Sequence, residues 1–459
     1  MRLIARYAKD RGDFFEIITL YDKDIDIEKI SKENPTIKTI SYTHPTAIWF
    51  ERKIQDDFGI DFVDAFDKRP LVHQEQFDNT LHPMCKEFNL NELDFSPFEP
   101  YQYETIKGDG VFQVSVGPIH AGIIEPGHFH FSQVGEKMLH LEVRHFYKYR
   151  AIEKMLEGKT LLEAKPIIER ISGNESIAYQ ICLRDIMLKA SDNILPLSLQ
   201  KQHALLLELE RVIHHFTDLG FIPNDAGFGS ALAIGSKSAE DARRAMRKIT
   251  GHRFGFGSVN FNKSYIDTVE FRDFLDKLEE DILSFESWIT DIPSVWDRLD
   301  TTGILSREKA LKYDMVGVVA RASGVKIDRR LEQQLYIDAG FKIALGSRGD
   351  VASRFKVRIE EIKNSISLMR YFLEENSKRE IIENIEKSQD GSYQSFCESS
   401  IGELFMAIDI KNGLIDRCYI RDASFINWQG VHLMMLNDII ADFPLINKSC
   451  DLSYAGSDL

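Results

Sequence analysis

The chain has 459 residues, of which 43% are hydrophobic and 28% are charged, and its formal net charge is −15. This length corresponds to about three domains, or two larger ones. The acidic balance argues against nucleic acid as a partner, because phosphate binding needs a basic surface. No apolar run reaches the roughly 20 residues that a membrane-spanning helix requires, and no secretory signal is evident. We therefore expect a cytoplasmic chain that meets a membrane only through partners.

Residues 1–95 predict a small α/β domain. The segments DFFEIITLY and TIKTISY alternate in the way that strands do. In TAIWFERKIQDDFGI, apolar residues such as Ile54 and Phe58 recur at helical spacing, and Gly59 supplies the stop. The following residues, 96–110, contain prolines and glycines and are typical of a linker.

The remaining residues, 111–459, predict a larger domain. Three alternating segments within 111–145 indicate a small antiparallel sheet. From 146 to 390 leucines recur at helical spacing, and Gly220 is expected to cap one long helix. Alternation returns in GELFMAIDIKNGLIDRCYIRDASF, where Gly413 suits a hairpin turn, before a last helix over NWQGVHLMMLNDIIADF. The predicted class is α+β, with a mainly helical domain carrying small antiparallel sheets at its two ends.

The cysteines give no sign of a metal centre. None of the five stands in a C-x-x-C arrangement, and we expect reduced thiols at Cys85, Cys182, Cys397, Cys418 and Cys450. Structural zinc and iron–sulfur clusters need several thiolates at convergent positions. We therefore expect no metal or other cofactor bound by this chain alone.

A series of motifs then follows in a recognisable order: GPIHAGIIEPGHF, FYKYRAIEK, ERISG, ELERVIHHFTDLGFIPNDAGF, ITGHRF, GVVARASGVKIDRR, GDVASRFKVRIEEI and IRDASFINWQ. Together they resemble the large subunit of energy-converting nickel–iron hydrogenases and its relative in respiratory complex I. The N-terminal segment WFERKIQDDFGIDFVDAFDKRPLVHQE is similar to the small partner subunit of those complexes. The fused order resembles that of the formate hydrogenlyase large subunit.

The resemblance also shows what has changed. In the nickel–iron enzymes two C-x-x-C pairs hold the metals, whereas the matching positions here are Ser172, Glu175, Ser453 and Gly456. Nickel and low-valent iron are held by soft thiolates, which serine, glutamate and glycine do not provide. The resemblance therefore implies a nickel-free subunit without a hydrogen-evolving site.

Two residues of one loop carry further expectations from the resemblance. Glu125 matches the glutamate that serves proton transfer in the hydrogenases, and a buried carboxyl group there would have a raised pKa; the alternative is a solvated loop glutamate. His120 fits the first histidine of the complex I quinone loop. The quinone-facing histidine falls on Pro126 and the quinone-site tyrosine on Ile167, which argues against quinone reduction.

Glu175 has two interpretations, which are compatible with each other. It forms a capping box with Ser172 as N-cap, or it serves as a protonatable group in the vestigial cavity. The catalytic candidates are thus His120, Glu125 and Glu175. The cavity itself is expected to be lined by Arg170, Ser172, Tyr179, Ser453 and Gly456. Other family positions predict charge partners of that cavity or plain salt bridges: Arg150, Arg253, Arg321 and Asp422.

The resemblance implies a place in a membrane-attached complex. In the first hypothesis the chain is a redox subunit, which receives electrons, linked to NADH or formate, from a small iron–sulfur subunit and passes them to quinone or another acceptor. Antiporter-like membrane subunits then move protons or sodium ions. In the second hypothesis the chain is a scaffold or coupling subunit without redox chemistry. An apolar channel to the cavity favours the first, and a cavity filled by side chains favours the second; a hydrogenase with unusual ligands is a third.

Overall fold

The N-terminal part contains a three-stranded antiparallel sheet of β1 (Leu3–Asp10), β2 (Phe14–Tyr21) and β3 (Ile25–Ser31). Helix α1 (Ala47–Phe58) follows, between the strands of a short parallel pair, β4 (Thr36–Lys38) and β5 (Asp61–Val63). The helix ends at Gly59, whose φ of 71° suits glycine, as predicted. The structure is a computed structural model that describes residues 1–93, 95–121, 124–262, 265–373, 385, 387–436 and 438–459.

Two more antiparallel sheets lie at the ends of the large domain. The first has the order β6 (Val111–Val116), β7 (His128–Val134), β8 (Lys137–Arg144). The second has the order β9 (Gly391–Glu398), β10 (Glu403–Lys411), β11 (Leu414–Arg421). Asn412 and Gly413 both have positive φ, 55° and 74°, in the two-residue turn between β10 and β11. Both predicted sheets and the predicted hairpin are confirmed.

The chain between these two sheets is helical: α2 (Ile152–Leu156), α3 (Leu161–Ile168), α4 (Ser176–Ala190), α5 (Leu197–Asp225), α6 (Gly229–Thr250), α7 (Thr268–Thr290), α8 (Pro293–Leu299), α9 (Arg307–Lys312), α10 (Gly317–Ala322), α11 (Gln334–Asp338) and α12 (Val351–Phe372). Shorter helices follow the second sheet: α13 (Ala423–Asn427), α14 (Val431–Met435), α15 (Phe443–Cys450) and α16 (Tyr454–Asp458). Fold class α+β is confirmed. None of the helices in the described ranges combines the length and apolar character needed to cross a bilayer.

Two helix predictions were wrong. Helix α5 continues past Gly220 to Asp225, and Gly220 instead packs against α6, where a methyl group on Gly235 would lie 2.5 Å from Phe216 O. A glycine marks close helix packing as well as a helix end, so the sequence signal was ambiguous. The single last helix is divided into shorter pieces. Residues 374–384 and 386 of the long helical pattern, and Asn437, lie outside the described residues.

Strand β1 joins the N-terminal part to the C-terminal sheet. Every residue of β1 is buried, and Tyr7 stacks on Tyr419 of β11 with 4.3 Å between ring centroids. The Arg421 side chain donates to Ile4 O at 3.0 Å. Buried Glu403 accepts bonds from Arg2 at 2.7 and 3.0 Å. The first strand is therefore held by the sheet that precedes the C-terminal helices.

Candidate functional site

The positions that match the metal-binding pairs converge in the core. Ser172, before α4, and Ser453, before α16, are hydrogen-bonded through their hydroxyl groups at 3.0 Å. The Ser453 hydroxyl also accepts a bond from Gly456 N at 2.9 Å, as the N-cap of α16. Both serines are buried. The two turns are thus joined by a hydroxyl–hydroxyl bond at the positions where the resemblance predicts metal-binding cysteines.

Glu175 follows Ser172 by three residues and is completely buried. Its Oε1 accepts from Ser399 Oγ at 2.5 Å, whereas its Oε2 has no hydrogen-bond donor among the described residues. The Glu175 carboxyl group lies within hydrogen-bonding reach of Asp422, the N-cap of α13. Two carboxyl groups therefore face each other in a region shielded from water.

The predicted capping box is wrong. Helix α4 begins at Ser176, directly after Glu175, and neither the Ser172 hydroxyl nor the Glu175 carboxyl group caps its amides. Glu210 of α5 does so instead, accepting from Ile177 N at 2.8 Å and Ala178 N at 3.3 Å. A carboxyl group on another helix has replaced the local cap, which the spacing of Ser172 and Glu175 alone could not indicate.

Asp422 occupies the space beside Gly456. Its Oδ2 accepts from Tyr179 OH at 2.6 Å, and its Oδ1 accepts from Ser424 N at 2.7 Å. A methyl group added to Gly456 would lie 2.7 Å from Asp422 Cγ and closer still to Oδ2. A cysteine at position 456 would meet the same obstacle. The residues present therefore do not fit a nickel–iron centre: the serines are bonded to each other, and the fourth position is packed against a carboxyl group.

The electrostatics of the pocket favour neutral acids. Burial, followed by the charge of Asp422, raises the pKa of Glu175 well above its usual range. Burial and the same aspartate also raise the pKa of Tyr179. Burial raises the pKa of Glu210 to about 8, against the lowering effect of its bonds to the α4 amides. The pocket therefore favours the neutral forms of Glu175, Tyr179 and Glu210.

The raised pKa of Glu175 predicts a pH-dependent contribution to the free energy of unfolding. The stabilising contribution of Glu175 is complete at pH values below its pKa in the unfolded chain, about 4.3. It is lost as the pH rises through the higher pKa of Glu175 in the folded protein. Glu175→Gln mimics the protonated acid and should remove this loss. We expect the stability of the variant, relative to the parent, to increase with pH in urea unfolding experiments. A difference that does not change with pH would contradict the raised pKa.

Arg150 connects the two turns. Its Nη2 donates to Ile171 O at 2.8 Å and to Ala455 O at 2.9 Å. The charge of Arg150 also acts on Tyr179, whose pKa it lowers slightly against the larger effect of burial. Arg150 therefore links the Ser172 turn to α16, in agreement with the hypothesis of a charge partner that lines the old cavity.

The other arginines of the motifs lie elsewhere. The Arg170 side chain is half exposed and lies over the Phe256 ring, 4.5 Å from its centroid, so the structure does not bring it to the serines. Arg253 forms an exposed pair with Glu240. Arg321 is buried and forms ion pairs with carboxylates of neighbouring elements, Asp328, Glu361 and Glu398.

Glu125 lies at the edge of the site. Its side chain is 38% exposed and forms an ion pair with Lys148, so it is not the buried carboxyl group that the sequence argument assumed. Its Oε2 accepts from Ala455 N at 3.0 Å, which places it against α16. His120 is in the same loop, and its Nε2 is bonded to Gly127 O at 2.7 Å. The proton-transfer role of Glu125 stays a prediction.

Sequence reasoning missed some of the groups that form the pocket. Asp422 was predicted only as a charge partner of the cavity or a plain salt bridge, and Ser399 and Glu210 carried no recognisable signal. Asp458 of α16 was also missed: it is buried, accepts from Lys148 N at 3.0 Å, and burial raises its pKa to about 7. The sequence signal that could have identified these groups was an acidic residue at the end of a buried helix or strand. Such residues usually serve only as helix caps.

Comparisons with known proteins agree with this architecture. Residues 225–390 match the family described as respiratory-chain NADH dehydrogenase, 49 Kd subunit, and residues 5–93 match the 30 Kd subunit of the same enzyme. The chain therefore combines the two types of domain in one polypeptide. Residues 225–390 belong to the 49 Kd subunit family and residues 5–93 to the 30 Kd subunit family.

Relatives include both branches of this family. Formate hydrogenlyase subunit 5 of Escherichia coli is 24% identical, over 94% of this chain and 78% of the relative. Hydrogenase-4 component G of the same organism is 25% identical, over 90% of this chain and 74% of the relative. The C/D component of NADH-quinone oxidoreductase from Phocaeicola vulgatus is 25% identical, over 92% and 86%. The chain is thus an oxidoreductase subunit of the complex I and hydrogenase type.

Proposed function

We propose that this chain is a nickel-free large subunit of a membrane-attached oxidoreductase complex. A small iron–sulfur subunit beside it carries the electrons, and this chain couples their passage to proton movement towards antiporter-like membrane subunits. The proposal is carried by one observation: the four metal-ligand positions meet in a pocket that contains hydroxyl and carboxyl groups and no thiolate. Oxygen donors of this kind exchange protons but do not hold low-valent nickel and iron.

The packing of the pocket bears on the choice between the two hypotheses. Tyr179, Asp422 and Glu175 are all buried and occupy the space between the two turns. A pocket filled in this way supports the coupling role more than direct reduction of an acceptor inside this chain. A coupling subunit without redox chemistry is therefore the form of the proposal that the geometry supports best, and quinone reduction is the second candidate.

The proposal is tested on the intact complex, purified through a tag on this chain. We expect an iron–sulfur subunit to co-purify, and we expect no exchange between deuterium gas and water. Electron transfer from the reduced iron–sulfur subunit to a soluble dye should survive Glu175→Gln, whereas proton uptake coupled to it should fall at least tenfold. Deuterium exchange, or equal loss of both activities, would contradict the coupling role.

A matched control separates a pocket effect from a general loss of an acid. Glu163 lies on the exposed first turn of α3, where it forms a capping box with Thr160. Glu163→Gln removes one carboxylate without touching the pocket and should leave both electron transfer and proton uptake unchanged.

A further inference from the structure

The pair formed by Glu175 and Asp422 contains two buried carboxyl groups with an incomplete set of donors. Asp422 accepts from Tyr179 OH and from Ser424 N, and Glu175 Oε1 accepts from Ser399 Oγ. Glu175 Oε2 is buried and has no donor among the described residues. Two ionised carboxyl groups within hydrogen-bonding reach of each other are strongly unfavourable when both are buried, because like charges repel and burial penalises each charge.

We propose that one proton is shared between Glu175 and Asp422 and takes the place that the metal centre occupies in hydrogenase relatives. The proton lies on Glu175 Oε2, and this O–H donates to the Asp422 carboxylate. The inference rests on the proposed function in one respect, the absence of nickel from the pocket. It adds the identity of the ligand, a proton, and the two residues that hold it.

The groups around the pair determine which carboxyl group carries the proton. Asp422 accepts from two donors, the Tyr179 phenol through Oδ2 and the Ser424 backbone amide through Oδ1. Glu175 receives one hydroxyl donor and lies near a third acid, Glu210. Glu175 is therefore the acid and Asp422 the base of the pair.

Cationic groups near the pair do not replace the proton. The guanidinium of Arg150 acts on Tyr179 at a distance, because its Nη2 is already bonded to the backbone carbonyls of the two turns. Arg211 acts on Glu210 and donates to the backbone carbonyls of Glu398 and Ser399. Loss of the proton would leave Glu175 and Asp422 both charged beside Glu210, so release of this proton must be coupled to movement of the pocket or to arrival of another cation.

Infrared difference spectroscopy of the full chain, with the partners that co-purify, tests the inference. The parent protein at neutral pH should show a C=O band of a protonated carboxyl group that Glu175→Gln removes. Asp422→Asn should lower the pH at which this band disappears, since a neutral amide no longer opposes ionisation of Glu175. The exposed control Glu163→Gln should remove intensity from the ionised carboxylate bands and none from the protonated band.

Several outcomes would overturn the shared proton. The first is a nickel-free parent protein whose spectrum is identical to that of Glu175→Gln in the protonated-acid region. The second is an Asp422→Asn variant whose Glu175 band titrates as in the parent. The third is thermal stabilisation by sodium or lithium that Glu175→Gln abolishes, because hard cations take oxygen ligands and one would then hold the pair instead of the proton. Nickel in the pocket contradicts the proposed function, whereas these results contradict the proton alone.

Discussion

Replacing Glu403 by alanine is expected to lower the free energy of unfolding by about 3–5 kcal/mol, since removing one partner leaves buried charges uncompensated. Glu403 is completely buried and forms ion pairs with Arg2, Arg329 and Arg421. Burial alone would raise the pKa of Glu403, but the charges of Arg2 and Arg421 outweigh it and hold the pKa far below its usual range. Chemical unfolding followed by circular dichroism measures the change.

Glu332→Ala is the matched control. Glu332 also pairs with Arg329, at 2.9 Å, but its side chain is 66% exposed. Exposed pairs contribute about 0–1 kcal/mol, so this variant should unfold close to the parent. Equal stability of the two variants would show that the buried charges do not hold β1 against the C-terminal sheet.

Restoring a side chain at position 456 is expected to destabilise the protein. Gly456→Ala places a methyl group 2.7 Å from Asp422 Cγ, and overpacking of this kind costs about 1–3 kcal/mol. The methyl group should also displace Asp422 and weaken its bond from Tyr179. Urea unfolding measures the energy, and tyrosine ultraviolet absorption reports the change around Tyr179.

Gly173→Ala provides the control for this substitution in the other turn. A methyl group on Gly173 meets no described atom within 4 Å beyond its chain neighbours. We expect a change within about 0.5 kcal/mol. If Gly456→Ala were equally neutral, the pocket would have free space beside Asp422 and the argument against a metal ligand there would lose its structural basis.

The elements of the fold were predictable where local patterns agree with tertiary packing. The strands at both ends, the stop of α1 at Gly59 and the hairpin at Gly413 follow from alternation and from positive φ. Gly220 shows where such reasoning fails. From the sequence alone a glycine in a helical pattern predicts the end of the helix, whereas here it allows close packing against the neighbouring helix α6. The division of the last helix depends on packing against β8 and the C-terminal turn, which local spacing does not contain.

The site was predictable in its positions and not in its contacts. The resemblance identified Ser172 and Ser453 as a converging pair although 281 residues separate them. It could not indicate that Asp422 would fill the place of the fourth ligand, or that Glu210 would take over the cap of α4. Both contacts join elements that are distant in the sequence, so they depend on tertiary packing that local spacing does not contain. The outward position of Arg170 over Phe256 is likewise a tertiary contact that the motif alone does not indicate.

The nickel content of the intact complex tests the central claim most directly. Cells are grown with nickel in excess, the complex is purified through this chain, and nickel and iron are measured together by elemental analysis. We expect iron from the iron–sulfur partner and nickel far below one atom per chain. One nickel atom per chain, lost in an Asp422→Ala or Glu175→Ala variant, would contradict the nickel-free pocket.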